Sequence, residues 1–352
     1  MSVPSLVDTL ERYATPFLKT YGHRLGDGHR HAFSAMRRCR TAHYGQLSWQ
    51  CPSCEHTRTV FRSCGHRSCP RCQNHDNTRW LERQQAKLLP VGYYLVTFTL
   101  PAECRALAWH NPELLYGLLF DGAVGTCRDF ARRDKHLQGE IGLSAVLHTQ
   151  TRRLDYHPHV HVIIPGGAID ARGRCWRTPK GRYLFSHKAL ATVFRARVLE
   201  GLRAAGLAPA TPLPKRWVVD CRHVGTGEPA LKYLSRYLYR GVIGDEQLVA
   251  DDGDSVTFAY RDGKSGKRMT RTVSGPRFVW LIIQHVLPTG FRRVRDYGFL
   301  HGNARRKLLR VQWFLKVPIV VRVARPRPPF PCSRCRAPMR TDGFVPPQRL
   351  SG

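Results

Sequence analysis

Two histidines with one residue between them, His159-Val160-His161, and two tyrosines with three between them, Tyr233-Leu-Ser-Arg-Tyr237, have the types and spacing to do chemistry together. Side chains alternate between the faces of a strand, so His159 and His161 leave one face and Val160 the other. Two imidazoles on one face can hold a divalent ion when a neighbouring strand adds a third donor. Residues 144–150 read as that strand, joined to 159–165 through the turn-like stretch 152–158 as an antiparallel hairpin. It offers His148 and Gln150 at the matching parity. His148 is the expected ligand, because a neutral imidazole is the better donor to a borderline metal, and Gln150 is the alternative. His157 precedes Pro158 and so lies in extended backbone, expected to flank the site rather than complete it.

The tyrosines fall in a stretch, 228–240, that reads as a helix, with Pro229 suited to its first turn and Gly241 to its C-cap. Four residues apart, Tyr233 and Tyr237 share one face, and Lys232, Arg236 and Arg240 repeat at the same interval one position round. That pattern suits a DNA backbone lying along the helix, with cations on phosphates and a tyrosine aimed at one phosphorus. A phenol with a pKa near 10 needs a metal at the phosphate, or nearby cations, to attack at neutral pH. The covalent phosphotyrosine keeps the phosphodiester's energy, so a free hydroxyl can reverse the step. Each motif alone is weak: the histidines would suit a cupin-like metalloenzyme, and the tyrosines a buried stripe with Leu234 and Leu238.

Six of the twelve cysteines fall between residues 39 and 72. Two close pairs, Cys51-Pro-Ser-Cys54 and Cys69-Pro-Arg-Cys72, have the knuckle spacing of a zinc site and would make one complete four-cysteine centre, although spacing alone does not decide the pairing. Cys39 and Cys64 remain for a second, with His31, His43, His66 and His75 near enough in sequence to complete it, so one or two zinc ions are expected. Cys332-Ser-Arg-Cys335 is half a site that could reach the first module, join two chains or do nothing. The arginines around the first six cysteines make DNA-end recognition the natural role of this segment.

These residues need a scaffold, and 352 residues suffice for one α+β body and small modules. A zinc-binding module at 1–90 is expected to precede a body at 91–315 that carries the tyrosine helix and a β-meander at 247–273. A Pro- and Arg-rich tail, 316–352, follows. Strands are expected at 92–100 and 217–220, and helices at 74–89, 102–137, 187–205, 276–287 and 302–315. Lys plus Arg total 57 against 25 acidic residues, a net of +32, which points to a polyanionic partner. No run approaches about 18 apolar residues and no secretory pattern opens the chain, so no membrane partner is expected and a cytoplasmic, nucleoid-associated location in a bacterium is. A non-catalytic zinc-containing DNA-binding protein would share the charge and the cysteines.

The series of motifs resembles the IS91-family transposases, a branch of the HUH single-strand endonucleases with two tyrosines. It runs through Cys39-Arg-Thr41, Cys69-Pro-Arg-Cys72-Gln73, Leu88-Leu-Pro90, Thr97-Phe-Thr-Leu-Pro101, Leu147-His-Thr149, His157-Pro-His-Val-His161, Pro165-Gly-Gly167, Tyr233-Leu-Ser-Arg-Tyr237, His285-Val-Leu-Pro288 and Tyr297-Gly-Phe299. The resemblance implies a ferredoxin-like nuclease sheet with helices on one face and Val96–Leu100 as its central strand. It implies His159 and His161 as ligands of Mg²⁺ or Mn²⁺, and Tyr233 and Tyr237 as nucleophiles. The implied work is cleavage of single-stranded DNA at transposon ends, a 5′-phosphotyrosine link and rolling-circle-like transfer. A plasmid or phage replication initiator would use the same chemistry. No Gly-x4-Gly-Lys-Ser/Thr loop is present, so a helicase and other replication proteins would come from the host. Gln150 stands where the family has tryptophan, which keeps it open as a ligand, and Ser68 replaces a histidine. The oligomeric state stays open.

Overall fold

The computed structural model describes residues 5–72, 74–229, 231–232, 242–263, 265–318 and 329–347. Its helices are α1 (Leu6–Arg12), α2 (Ala14–Tyr21), α3 (Asp27–Arg37), α4 (Asn74–Gln85), α5 (Arg105–His110), α6 (Pro112–Arg133), α7 (His187–Ala204), α8 (Gly275–Ile283) and α9 (Arg305–Phe314). The strands that matter below are β1 (Gln46–Gln50), β2 (Thr57–Phe61), β3 (Tyr93–Thr99), β4 (Leu143–Gln150), β5 (Tyr156–Pro165) and β6 (Val219–His223). After them come β7 (Leu248–Asp251), β8 (Ser255–Arg261), β9 (Arg268–Ser274), β10 (Val294–Tyr297) and β11 (Arg340–Val345). The chain divides into two compact units, Asp76–Leu238 with Leu287–Ile319, and Met1–His75 with Tyr239–Val286 and Val320–Gly352.

In the first of these units five antiparallel strands form one sheet in the order β10-β4-β5-β3-β6. The histidine strand β5 is its middle member, because eight of its ten residues are buried and only a doubly covered strand tolerates that. The strand implied to be central, β3, is its neighbour, with Thr99 opposite His159 and Thr97 opposite His161. One parity of the sheet, including Val96, Phe98, Leu147, Val160, Val162 and Ile164, packs with Leu119 and Phe120 of α6 and Phe194 and Val198 of α7. Phe98 and Phe194 meet at 5.0 Å between ring centroids. The helices can close on one another there because α6 carries Gly122, where a Cβ would come within 3.2 Å of the Phe194 ring. All the histidines of interest have the opposite parity, so the hydrocarbon core holds the strand while the histidines project together from its other face.

Strand β10 was not expected from the sequence. Val294-Arg-Asp-Tyr297 alternates poorly, yet Asp296 is satisfied: Ser144 Oγ donates to it at 2.6 Å, Lys87 Nζ at 2.5 Å and Gln84 Nε2 at 2.9 Å. A partly buried carboxylate with three donors becomes a fixed point for the sheet edge instead of a defect.

In the other unit, α2 and α8 meet through Tyr21 stacked on Trp280 at 5.0 Å. The β-meander β7-β8-β9 is tied to α1 by Asp251, which accepts from Thr9 Oγ1 at 3.0 Å and Tyr13 OH at 2.8 Å. A second sheet has the order β11-β1-β2, so a strand from near the C-terminus pairs with the first strand of the chain, Gln46 opposite Val345. Residues 340–345, which the sequence places in the Pro- and Arg-rich tail, are therefore part of this sheet. The molecule is an α+β protein built on antiparallel sheets. Among the described residues no helix is long and apolar enough to cross a membrane.

Candidate metal centres

Strands β4 and β5 pair so that His148 stands directly opposite His159. His161 lies two residues further along β5, and the three imidazoles converge: ring centroids are 4.5 Å apart for His148–His161, 4.9 Å for His159–His161 and 5.3 Å for His148–His159. One ligand nitrogen from each can be chosen so that all three lie within 4.8 Å of one another. His159 Nδ1 donates to the carbonyl of His157 at 2.7 Å, which fixes the proton on Nδ1 and leaves the Nε2 lone pair for a ligand. Thr97 Oγ1 lies 2.9 Å from Nδ1 of His161 and can orient that ring in the same way.

Burial drives the histidines towards the neutral form. His148 and His161 are held well below the usual imidazole range by desolvation, reinforced by the neighbouring rings, and His159 is lowered by the same burial. His157 is pushed down to about 4 by burial, with the His159 ring and Arg105 adding to it, and its Nδ1 is 2.9 Å from Arg105 Nη2. It flanks the cluster without joining it. Gln150 is not opposite a histidine either. A bulge between His148 and Gln150 shifts the register, so Gln150 faces Tyr156, whose hydroxyl bonds Tyr116 of α6 on the core side.

The cysteines form two clusters that differ from the expected grouping: Cys39, Cys64, Cys69 and Cys72, and Cys51, Cys54, Cys332 and Cys335. Sulfur separations include 3.4 Å for Cys39–Cys72 and 3.4 Å for Cys51–Cys335, with no disulfide among them. The hairpin β1–β2 explains the regrouping. Cys51 and Cys54 sit at its tip, whereas Cys39 and Cys64 flank its open end, about 17 Å away at five residues of strand. The two knuckles taken as partners in sequence are therefore at opposite ends of a strand pair.

Cys332 and Cys335 supply what the tip lacks, in a matching shape. Cys51 N–H donates to the His56 carbonyl at 2.9 Å and Glu55 N–H to the Cys51 carbonyl at 2.9 Å. Cys332 and Arg336 repeat this on Ala337 and Cys332 at 2.8 and 3.0 Å. Glu55 and Arg336 both take the left-handed backbone, φ 57° and 64°, that the knuckle requires. The backbone N–H of Cys335 pulls the Cys332 thiol down to about 6, and within the other cluster the bond from Cys64 lowers Cys39 to about 7. The hydrogen bonds that lower Cys39 raise Cys64 and Cys69 instead, so a zinc ion would have to displace protons from them on binding.

Among the described residues no histidine joins either sulfur cluster. His66 Nδ1 accepts from the Ser68 N–H at 3.1 Å with its ring 5.4 Å from that of His31, and His43 lies against Tyr44. The His75 side chain lies outside the described residues, as do Tyr233, Arg236, Tyr237 and Arg240. Lys232 is described, and its Nζ is 2.9 Å from Glu228 Oε1. Thr97 is the site neighbour that sequence reasoning missed.

Residues 142–307 match the family profile described as "Putative transposase", and residues 9–100 the IS91 profile described as "Transposase zinc-binding domain". "Putative transposase y4qJ" of Sinorhizobium fredii (strain NBRC 101917 / NGR234) is 36% identical over 331 residues, 88% of this chain and 83% of its own length. "Transposase for insertion sequence element IS801" of Pseudomonas savastanoi pv. phaseolicola is 26% identical over 289 residues, 75% of this chain and 68% of its own. A solved chain, "Conjugative Relaxase TrwC in complex with mutant OriT Dna", matches at 16% identity and a TM-score of 0.28. It covers 62% of this chain and 70% of that one, too remote a likeness to bear on the fold.

Proposed function

We propose that this chain, which belongs to the IS91 family of transposases, cuts one DNA strand by tyrosine attack on phosphorus and rejoins it at a target. The observation that carries the reading is the buried cluster of His148, His159 and His161 in a member of such a family. In this reading the five-stranded sheet with α6 and α7 on one face is a ferredoxin-like HUH nuclease body. The donor set fits a divalent ion: three neutral imidazoles, with the proton of His159 fixed on Nδ1 and the rings held by a rigid sheet. A bound Mg²⁺ or Mn²⁺ would draw negative charge from the scissile phosphate. Nitrogen donors favour Mn²⁺ over the oxygen-seeking Mg²⁺, so activity is expected to be higher with Mn²⁺.

The phenolate oxygen of Tyr233 or Tyr237 forms the new bond to phosphorus, and the bond from phosphorus to the 3′ oxygen breaks, leaving a 3′ hydroxyl and a 5′-phosphotyrosine. A later 3′ hydroxyl attacks that phosphorus and releases the tyrosine, so no external energy source is needed. Lys232, Arg236 and Arg240, which repeat at the tyrosines' interval, hold the DNA backbone. The zinc-bearing segment grips the transposon ends, and host replication proteins, a helicase among them, open and copy the strands in rolling-circle-like transposition.

The test is a covalent adduct on an end-labelled single-stranded oligonucleotide carrying the element's terminus, with Mn²⁺ or Mg²⁺, resolved under denaturing conditions. Wild type is expected to form it and Tyr233→Phe/Tyr237→Phe to lose it. An adduct that persists in the double variant, or none in wild type, overturns the reading.

A further inference from the structure

Helix α9 has one face in the core and one that, among the described residues, is largely open apart from a contact of Arg310 with Gly173. Val311 is fully buried and, with Leu308 and Phe314, packs against Leu89, Phe299 and Leu300. Arg306, Leu309, Arg310 and Trp313 recur at i, i+3, i+4 and i+7, so they line the opposite face. Trp313 is 74% exposed and Leu309 51% exposed. A single exposed apolar side chain is ordinary; an indole and a leucine adjacent on a face with two guanidiniums are not.

The surroundings decide what would cover it. The helix carries Arg305, Arg306, Lys307 and Arg310 and no acidic residue. At its start lies an open cleft of about 1040 Å³, lined by Arg128, Tyr297, His301, Arg305, Arg306 and Leu309. Arg128 sits over the Tyr297 ring at 5.4 Å, and Leu309 belongs to both the cleft and the Trp313 face. The acid in the lining, Glu140, is neutralised by Lys307 Nζ at 2.6 Å. Arg310 Nη1 reaches the Gly173 carbonyl at 3.4 Å, which leaves most of the guanidinium's donors for another acceptor. An apolar protein partner would have to desolvate these cations, whereas a flexible polyanion with flat bases satisfies cations and indole at once.

We propose that the Arg306–Trp313 face of α9 and the adjoining cleft form a track for single-stranded nucleic acid, with a base stacked on Trp313 and phosphates on Arg306 and Arg310. The proposal rests on the reading that single-stranded DNA is the substrate. Tyr297 pairs with Leu143, five residues before His148, about 17 Å along β4, so the track is separate from the histidine cluster.

Fluorescence anisotropy of a labelled oligothymidylate, on the full chain without added Mg²⁺ or Mn²⁺, tests it. Trp313→Ala is expected to weaken binding about 5- to 150-fold and Trp313→Phe to retain most of it, because a smaller ring still stacks. The Arg306→Gln/Arg310→Gln variant should lower the slope of log affinity against log salt by about 1.4, at roughly 0.7 per phosphate contact. Wild-type affinity in Trp313→Ala, as expected if a protein covers this face, overturns the proposal, and so does an unchanged salt slope in the arginine variant. The adduct assay separates the two readings. If wild type forms no adduct while Trp313→Ala still weakens binding, the track stands and the nuclease fails. If the adduct forms and Trp313→Ala binds like wild type, the track fails alone.

Discussion

Thr97 shows how much of a metal site lies outside its ligands. Its hydroxyl is 2.9 Å from His161 Nδ1, on the strand next to the histidines, and it can accept the proton that keeps Nε2 bare. Thr97→Val keeps shape and burial but removes that acceptor. It is expected to weaken Mn²⁺ binding about 10- to 100-fold by titration calorimetry while leaving the melting temperature of the metal-free protein nearly unchanged. His148→Gln should lose Mn²⁺ binding more completely, and equal binding in both variants and wild type would rule out this cluster as the centre. The period of two in a strand is enough to set His159 and His161 on one face from sequence. It could not rank His148 against Gln150, because the bulge between them is a property of the paired strands rather than of either one. Thr97 was hidden for the same reason: 64 residues separate it from His161, and only the register of β3 on β5 brings them together.

At the scale of elements, the chain's long hydrophobic stretches were legible and its cross-chain partnerships were not. Strands β3, β4 and β5 and helix α7 fall close to the expected ranges, since each presents a strong period or a Pro and Gly boundary, whereas the single helix expected at 102–137 is broken at Asn111-Pro112 into α5 and α6. The edge strand β10 and the terminal strand β11 escaped because both are polar and depend on partners far away, Ser144 for one and Gln46–Gln50 for the other. The same distance left open whether Cys332 and Cys335 complete a zinc site in the first module, since the halves of that site are 278 residues apart at Cys54 and Cys332. Wild type should therefore hold two zinc ions per chain by elemental analysis, and Cys332→Ser/Cys335→Ser one. A value of two in the variant would mean that the C-terminal pair is not a ligand set. A second element-level device joins α6 to the start of the histidine strand: the buried hydroxyls of Tyr116 and Tyr156, 2.6 Å apart. Burial raises Tyr116 from 10.0 to about 12 and raises Tyr156 as well. A phenol whose pKa is raised on folding contributes stability that is complete below its unfolded value and is lost as pH rises through the folded one. Denaturant unfolding should thus show stability falling from about pH 10 towards 12, and Tyr116→Phe should make that fall shallower. An unchanged alkaline slope in the variant would place the sensitivity elsewhere.

For the whole molecule, the histidine-bearing sheet and the sheet β11-β1-β2 are stabilised by different means, and this separates what a chelator can reach from what it cannot. The histidine-bearing sheet closes on Phe98, Phe120, Val160, Val162 and Phe194, all fully buried, so its order derives from hydrocarbon packing that needs no ion. Truncating such a phenylalanine to alanine costs about 3–5 kcal/mol, a large part of a domain's net stability. The sheet β11-β1-β2 has no comparable core. Strands β2 and β11 are largely exposed and β1 only half-buried, and the residues buried beside them are Cys51, Cys332 and Met339. Sulfur ligation must take the place of packing there, as it does in small domains generally. Zinc removal by a thiol-compatible chelator should therefore abolish amide hydrogen-exchange protection in β1, β2 and β11 while β3 and β5 remain protected. The same treatment should leave Mn²⁺-supported adduct formation on short oligonucleotides measurable once free chelator is removed, since no cysteine ligand lies in the histidine-bearing unit. Loss of protection in β3 and β5 together with β1 would show instead that the sheet depends on zinc, and the division of labour between sulfur and hydrocarbon would be wrong.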